Sequence, residues 1–102
     1  MTVSRSELRA VAATQVNIND DTFAVGLDDG RTITVPLAWY PRLLHGSGEE
    51  RGNWQLIGKG EGIHWPDLDE DISVDHLLPG LPSGETQRSL KAWLEQRGQG
   101  SR

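Results

Sequence analysis

The residues best suited to chemistry lie in one short segment, where His64 is followed closely by Asp67, Asp69, Glu70 and Asp71. Carboxylate oxygens bind Mg²⁺ and Mn²⁺, and a histidine beside carboxylates suits general acid and base catalysis. In an extended chain, residues two apart share a side, so Asp67, Asp69 and Asp71 would point the same way. One interpretation is therefore a small metal-dependent or acid/base enzyme centred on His64 and these three aspartates.

The motifs that would strengthen the enzyme interpretation are absent from this segment. A calcium loop of the EF-hand kind starting at Asp67 would need Gly and Glu where the sequence has Ile72 and Leu78. No His-Glu-x-x-His motif surrounds His64. Neighbouring carboxylates are readily kept charged by water, and charge runs usually form solvated faces. We therefore expect a solvated acidic face, with no metal, no cofactor and no enzymatic activity.

The charge distribution indicates the kind of partner. The net charge is −5, and residues 61–78 contain six Asp and Glu residues but no Lys or Arg. Nucleic-acid binding depends on clustered cations that release counterions from phosphate, so direct binding is not expected here. The least favoured interpretation assigns such binding to the last helix, through Arg88, Lys91, Arg97 and Arg102.

A small basic protein is the expected partner, because opposite charge speeds the encounter between proteins. A homo-oligomer that pairs exposed sheet edges remains an alternative. The residues expected to contact the partner are His64, Asp67, Asp69, Glu70, Asp71 and Trp93.

Composition and length narrow the class of protein further. The chain of 102 residues has no cysteine, which excludes disulfides and thiolate chemistry and fits a reducing compartment. Residues 1–14 contain charged side chains and no apolar run, so we expect neither a secretory signal nor a membrane span. A cytoplasmic protein with one domain is therefore expected.

The elements that must hold the acidic segment begin with three strands between residues 14 and 36, where apolar and polar residues alternate. A two-residue turn after the first strand would place Ile18 opposite Phe23. A three-residue loop ending at Gly30, with Gly30 at positive φ, would place Val35 opposite Phe23. Replacing Gly30 with Ala is therefore expected to destabilise the fold.

Tryptophan and proline residues mark the rest of the expected framework. A buried tryptophan removes about 150 to 250 Å² from water, which makes Trp39 and Trp65 the expected core anchors. Pro41 suits the first turn of a short helix, and Pro66 keeps Trp65 extended at the end of a strand. The residues expected to have structural roles are Gly30, Trp39, Pro41, Trp65 and Pro66.

Together these patterns predict an α+β fold with one small, mostly antiparallel sheet of about five short strands. Short helices are expected after the third strand and at the C-terminus, the last from about residue 85 to 97 with Gly98 just beyond it. The expected organisation is a flexible segment at residues 1–11, one domain at 12–80, a helix at 81–98 packed on the domain or a partner, and a frayed tail at 99–102.

Three stretches of the sequence are similar to those of a known family: DGRTITVP at residues 29–36, WYPRLL at 39–44 and IHWPDLDEDISV at 63–74. Through them, about residues 12–80 resemble the bacterial domain of unknown function family 2442. The resemblance implies a small α+β domain without established activity, sometimes encoded beside another small protein and suspected of being the antitoxin of the pair. Some relatives carry a helix-turn-helix domain after this one, whereas this sequence ends soon after Arg97, so direct DNA binding is not expected.

Overall fold

The computed structural model describes residues 11–100, with side chains described as far as residue 98. The expected flexible segment falls almost entirely on residues 1–10, and the expected frayed tail includes residues 101 and 102; both stretches lie outside the described residues. The elements in chain order are β1 (Ala13–Ile18), β2 (Thr22–Leu27), β3 (Thr32–Pro36), a 3-10 turn (Leu37–Trp39), α1 (Pro41–His45), α2 (Gly48–Gly52), β4 (Gln55–Ile57), β5 (Gly62–Trp65), β6 (Glu70–Ser73), α3 (Val74–Leu77) and α4 (Gln87–Gly100).

Within residues 11–100, the strands form two antiparallel sheets of three, in the orders β1-β2-β3 and β4-β5-β6. The α+β class is confirmed, but the expected single sheet of about five strands is wrong. A 3-10 turn and two short helices occupy the chain between β3 and β4, which separates β4 from the edge of β3. Both sheets instead contribute their apolar faces to one shared core.

The register of the first sheet is the one that its turns predict. Ile18 lies opposite Phe23, and Phe23 lies opposite Val35. The Leu27 N–H donates to Arg31 O at 2.8 Å, so the loop enclosed by this pair has three residues and ends at Gly30, whose φ is 93°. Apolar side chains therefore meet apolar side chains across all three strands, and a slip of one residue would expose them.

Trp65 is the anchor of the core, as expected. Its side chain is fully buried, it meets Phe23 edge to face at 5.5 Å between ring centroids, and its Nε1–H donates to Arg51 O at 3.0 Å. The same expectation for Trp39 is wrong, because Trp39 is 36% exposed. Residues three apart share a side in a 3-10 turn, so Leu37 and Tyr40 face the core and Trp39 faces solvent.

Helix α4 is longer than its sequence signals indicate. It begins at Gln87, two residues after the predicted start, and it continues to Gly100, so Gly98 does not end it. Pro41 stands in the first turn of α1, as predicted. Within residues 11–100, no helix has both the length and the apolar character needed to cross a membrane.

Candidate functional site

A cleft of about 450 Å³ runs beside β6. This volume lies within the range of about 300 to 1,000 Å³ that is usual for ligand sites. Among residues 11–100, three of the lining residues are carboxylates and none is Lys or Arg. The cleft is lined by Tyr40, Ile57, Glu61, Gly62, Glu70, Asp71, Ile72, Ser73, His76, Ser83 and Gly84.

The far wall of the cleft includes residues of the segment 81–84, which accepts hydrogen bonds from two side chains. The Tyr40 hydroxyl donates to Leu81 O at 2.8 Å. The His76 ring nitrogen Nε2 bonds to Pro82 O at 2.7 Å, which requires a proton on Nε2. His76 is positioned in turn because Ser73 caps α3, its hydroxyl accepting from the His76 N–H at 3.1 Å. The wall is therefore built from residues of several separate elements.

Glu70 is the carboxylate with the most unusual surroundings. It lies opposite Trp65 across the β5–β6 ladder and is half-buried. Burial raises the pKa of Glu70 to about 6, since little water remains to stabilise the charge, and the Asp71 N–H donated to Glu70 Oε1 at 3.1 Å only partly offsets this. Burial also raises the pKa of Tyr40 to about 12, and the Glu70 charge adds to that rise.

Replacing Glu70 with Gln is expected to stabilise the protein near neutral pH. Because the pKa of Glu70 rises from 4.5 to about 6 on folding, the folded state binds the proton more tightly. The stability from that proton is complete below the unfolded pKa and disappears as pH rises through the folded one. Unfolding in denaturant at about pH 7.5 should therefore need roughly 1 kcal/mol more for Glu70→Gln, allowing for solvent screening.

The difference between the two proteins should shrink towards zero near pH 4, where Glu70 is protonated in both states. Asp21→Asn offers a control, because Asp21 is an exposed carboxylate on the turn between β1 and β2. If Glu70→Gln raised the free energy of unfolding by the same amount from acid to neutral pH, the raised pKa of Glu70 would be contradicted.

The aspartates of the acidic segment do not converge on one point. The chain turns at residues 66–69, so the expectation that extended geometry aligns Asp67, Asp69 and Asp71 is wrong. Among residues 11–100, no three His, Asp or Glu side chains are placed to hold a metal ion. Each aspartate has a different partner: Asp67 accepts from Asn53 Nδ2 at 2.9 Å, Asp69 from Arg42 Nη1 at 3.4 Å, and Asp71 contacts His64 Nδ1.

His64 lies on the face of the second sheet that is turned away from the core, as expected. It stands opposite Asp71 in the β5–β6 ladder, and its Nδ1 contacts Asp71 Oδ1. The two side chains are 35% and 68% exposed. His64 is therefore placed to orient the Asp71 carboxylate beside the cleft, which His64 itself does not line.

Trp93 attaches α4 to the domain and is only 8% exposed. Two guanidinium groups lie over its ring, with Arg42 at 5.2 Å and Arg97 at 4.6 Å from the ring centroid. Arg97 also donates to Glu50 at 2.8 Å, and this bond, with the Ser47 N–H, holds the pKa of Glu50 below its usual value. Trp93 thus packs within the chain, and Arg97 is engaged there instead of being free to bind phosphate.

Arg42 is a structural residue that the sequence patterns did not reveal. Its Nε donates to Glu85 Oε1 at 2.5 Å, and its Nη1 donates to Asp69 O at 2.9 Å. The Glu85 side chain is 9% exposed, so this ion pair is largely removed from water. Arg42 and Glu85 are 43 residues apart, and no short-range signal connects them.

The fold and the site define a small α+β domain with an acidic cleft at the edge of its second sheet. Residues 13–83 match the model of a family described as a protein of unknown function, DUF2442. The chain belongs to this family, so the resemblance found in the sequence is confirmed.

Two solved structures share the fold. A protein of unknown function from Rhodospirillum rubrum is 24% identical, with a TM-score of 0.65 over 80% of this chain and 99% of that one. An uncharacterised protein from Chromobacterium violaceum is 16% identical, with a TM-score of 0.61 over 79% of this chain and 74% of that one. A search of curated proteins found no match. At these identities the likeness extends to the fold alone.

Proposed function

We propose that this protein is a non-enzymatic interaction module that binds a small basic protein through the cleft beside β6. The observation that supports the proposal is the composition of the cleft: in the part of the chain that the structure describes, its lining has Glu61, Glu70 and Asp71 and neither Lys nor Arg. A basic partner would meet a negative cleft on a chain of net charge −5. Such complementarity speeds association and selects against acidic partners.

The expected contact residues take different parts in this proposal. Glu70 and Asp71 line the cleft and are its direct contacts. His64 acts through Asp71, which it contacts across the strands. Asp67 and Asp69 belong to the turn before β6 and are not among the residues that line the cleft.

The test compares two variants that lose the same amount of charge. Glu70→Gln with Asp71→Asn removes two charges from the cleft, whereas Asp21→Asn with Glu95→Gln removes two from exposed positions that do not line it. Each tagged protein is used to capture partners from a lysate of the native host, and the captured proteins are identified by mass spectrometry. We expect one small basic protein with the wild type and with the control, and its loss with the cleft variant.

Equal capture by all three proteins would contradict the role of the cleft. Loss from both double variants would assign the binding to net charge alone and would also contradict it. Solubility and cooperative melting of each variant, measured beforehand, separate a binding defect from a folding defect.

We further propose that the module works in the cytoplasm as the antitoxin-like member of a pair with this partner. The support comes from the resemblance to the family, which implies that its members are sometimes encoded beside another small protein. Expressing the captured partner alone should slow growth of the host, and co-expressing the wild-type module should restore it. Restoration by the cleft variant as well would contradict this proposal.

A further inference from the structure

Strand β6 has a free edge along the cleft. It is the last strand of the second sheet, and no other strand among residues 11–100 pairs with its outer side. All four residues of β6 line the cleft, and the rest of the lining is Ile57, Glu61 and Gly62 of the β4–β5 hairpin with Tyr40, His76, Ser83 and Gly84. Strand β6 is therefore both the edge strand of its sheet and part of the lining of the cleft.

The pattern of hydrogen bonds between β5 and β6 determines which backbone groups of β6 point away from β5. Val74 N–H donates to Glu61 O at 3.0 Å, so the Glu61–Val74 pair is a hydrogen-bonded one. Hydrogen-bonded and non-hydrogen-bonded residue pairs alternate along an antiparallel ladder. Ile72, two residues before Val74, therefore belongs to a hydrogen-bonded pair, and Asp71 belongs to a non-hydrogen-bonded pair whose N–H and C=O point away from β5. The Ser73 N–H points outward for the same reason.

The position of Glu70 supports this assignment. The Asp71 N–H does not bond across the ladder but donates to Glu70 Oε1 at 3.1 Å. A carboxylate oxygen thus occupies the place where the carbonyl oxygen of a further strand would lie. An incoming peptide carbonyl would replace it, and the released Glu70 carboxylate would then be available to a cationic side chain.

We propose that the edge of β6 receives an extended, lysine- or arginine-bearing segment of the partner as an added strand. Backbone hydrogen bonds to Asp71 and Ser73 hold the segment, and Glu70 and the Asp71 side chain select its charge. This inference rests on the proposed function and specifies how the partner is bound.

The test uses a short peptide of alternating lysine and threonine as the probe, with spermine as a cation that has no peptide backbone. In ¹⁵N–¹H spectra of the full chain, the peptide should shift the amide signals of Asp71 and Ser73 and slow their hydrogen exchange. Spermine should leave the exchange of both amides unchanged. Equal protection by spermine, or no protection by the peptide, would overturn the proposal.

Two variants at one position separate the backbone from the charge. Asp71→Ala removes the carboxylate and keeps the N–H, whereas Asp71→Pro removes both and is tolerated at an outward-facing position of an edge strand. We expect Asp71→Pro to bind the peptide about ten times more weakly than Asp71→Ala, the effect of one hydrogen bond.

Equal binding by the two Asp71 variants would overturn the added strand and leave the basic partner in place. Failure of the wild type to bind the peptide at low salt would contradict both the added strand and the proposed function. If Asp71→Pro does not fold, the comparison moves to the wild type, where a peptide N-methylated on every backbone nitrogen should lose the exchange protection.

Discussion

Replacing Trp65 with Ala should lower the free energy of unfolding by about 3 to 5 kcal/mol. The side chain is fully buried, packs edge to face on Phe23 and satisfies the carbonyl of Arg51. Truncation would leave a large cavity between the two sheets and an unpaired backbone oxygen, and both are destabilising. Small domains are stable by only about 5 to 15 kcal/mol, so much of the variant would be unfolded at moderate denaturant.

Trp39→Ala is the matched control, since it removes the same side chain from a position that is 36% exposed. We expect it to cost less than about 1 kcal/mol. Denaturant unfolding followed by circular dichroism measures both variants. If Trp65→Ala and Trp39→Ala unfolded at the same denaturant concentration, the stability of the core would not depend on Trp65.

Replacing Gly60 with Ala should also lower the free energy of unfolding by about 3 to 5 kcal/mol, because the added Cβ would clash with the backbone. Gly60 has a φ of 91°, and its carbonyl accepts the Ala13 N–H at 2.7 Å, which joins the β4–β5 turn to the start of β1. A Cβ at Gly60 would lie 2.3 Å from Ala13 O. The obstructing atom belongs to the backbone of a strand, so the clash can be relieved only by separating the turn from β1.

Gly30→Ala separates this clash from the cost of positive φ. Gly30 has nearly the same φ, 93°, but a Cβ there would have nothing within 4 Å. We expect Gly30→Ala to cost about 1 to 2 kcal/mol, the penalty of a left-handed conformation with a side chain. Melting temperatures of the two variants should therefore differ clearly. If the two variants lost the same amount of stability, the clash between the new Cβ and Ala13 O would be relieved at no cost.

The first sheet could be predicted in register because its information is local. Alternation decides which side chains of a strand share a face, and the lengths of the two turns decide which residues stand opposite Phe23. The number of sheets could not be predicted in the same way. Apolar residues at every second position identify the buried face of a strand, but they do not indicate which other strand pairs with it.

The tryptophans illustrate the same limit on a smaller scale. Trp65 could be placed in the core because it shares a strand face with Ile63, alternates with the half-buried His64 and is followed by Pro66. Trp39 could not, because a 3-10 turn presents Leu37 and Tyr40 to the core, and nothing in the local sequence distinguishes Trp39 from Tyr40 as the buried ring. Which of the two rings is buried depends on how the rest of the fold packs around the 3-10 turn.

The candidate site was only partly visible in the sequence. The excess of acids in residues 61–78 indicated a negative surface, but Tyr40 and Ser83, which also line the cleft, come from distant parts of the chain. The metal interpretation assumed an extended segment, and the turn at residues 66–69 separates its aspartates. The raised pKa of Glu70 depends on burial, which the sequence does not report.

The sequence by itself determined the charge of this protein, its family, the faces of its strands and the glycine on which the second turn depends. These properties follow from composition and from contacts between near neighbours along the chain. Only the tertiary structure decided that the strands form two sheets, that two arginines lie over the Trp93 ring and that the last strand of the second sheet lines an acidic cleft. Those features depend on packing between residues far apart in the chain, because burial and desolvation are properties of the assembled fold.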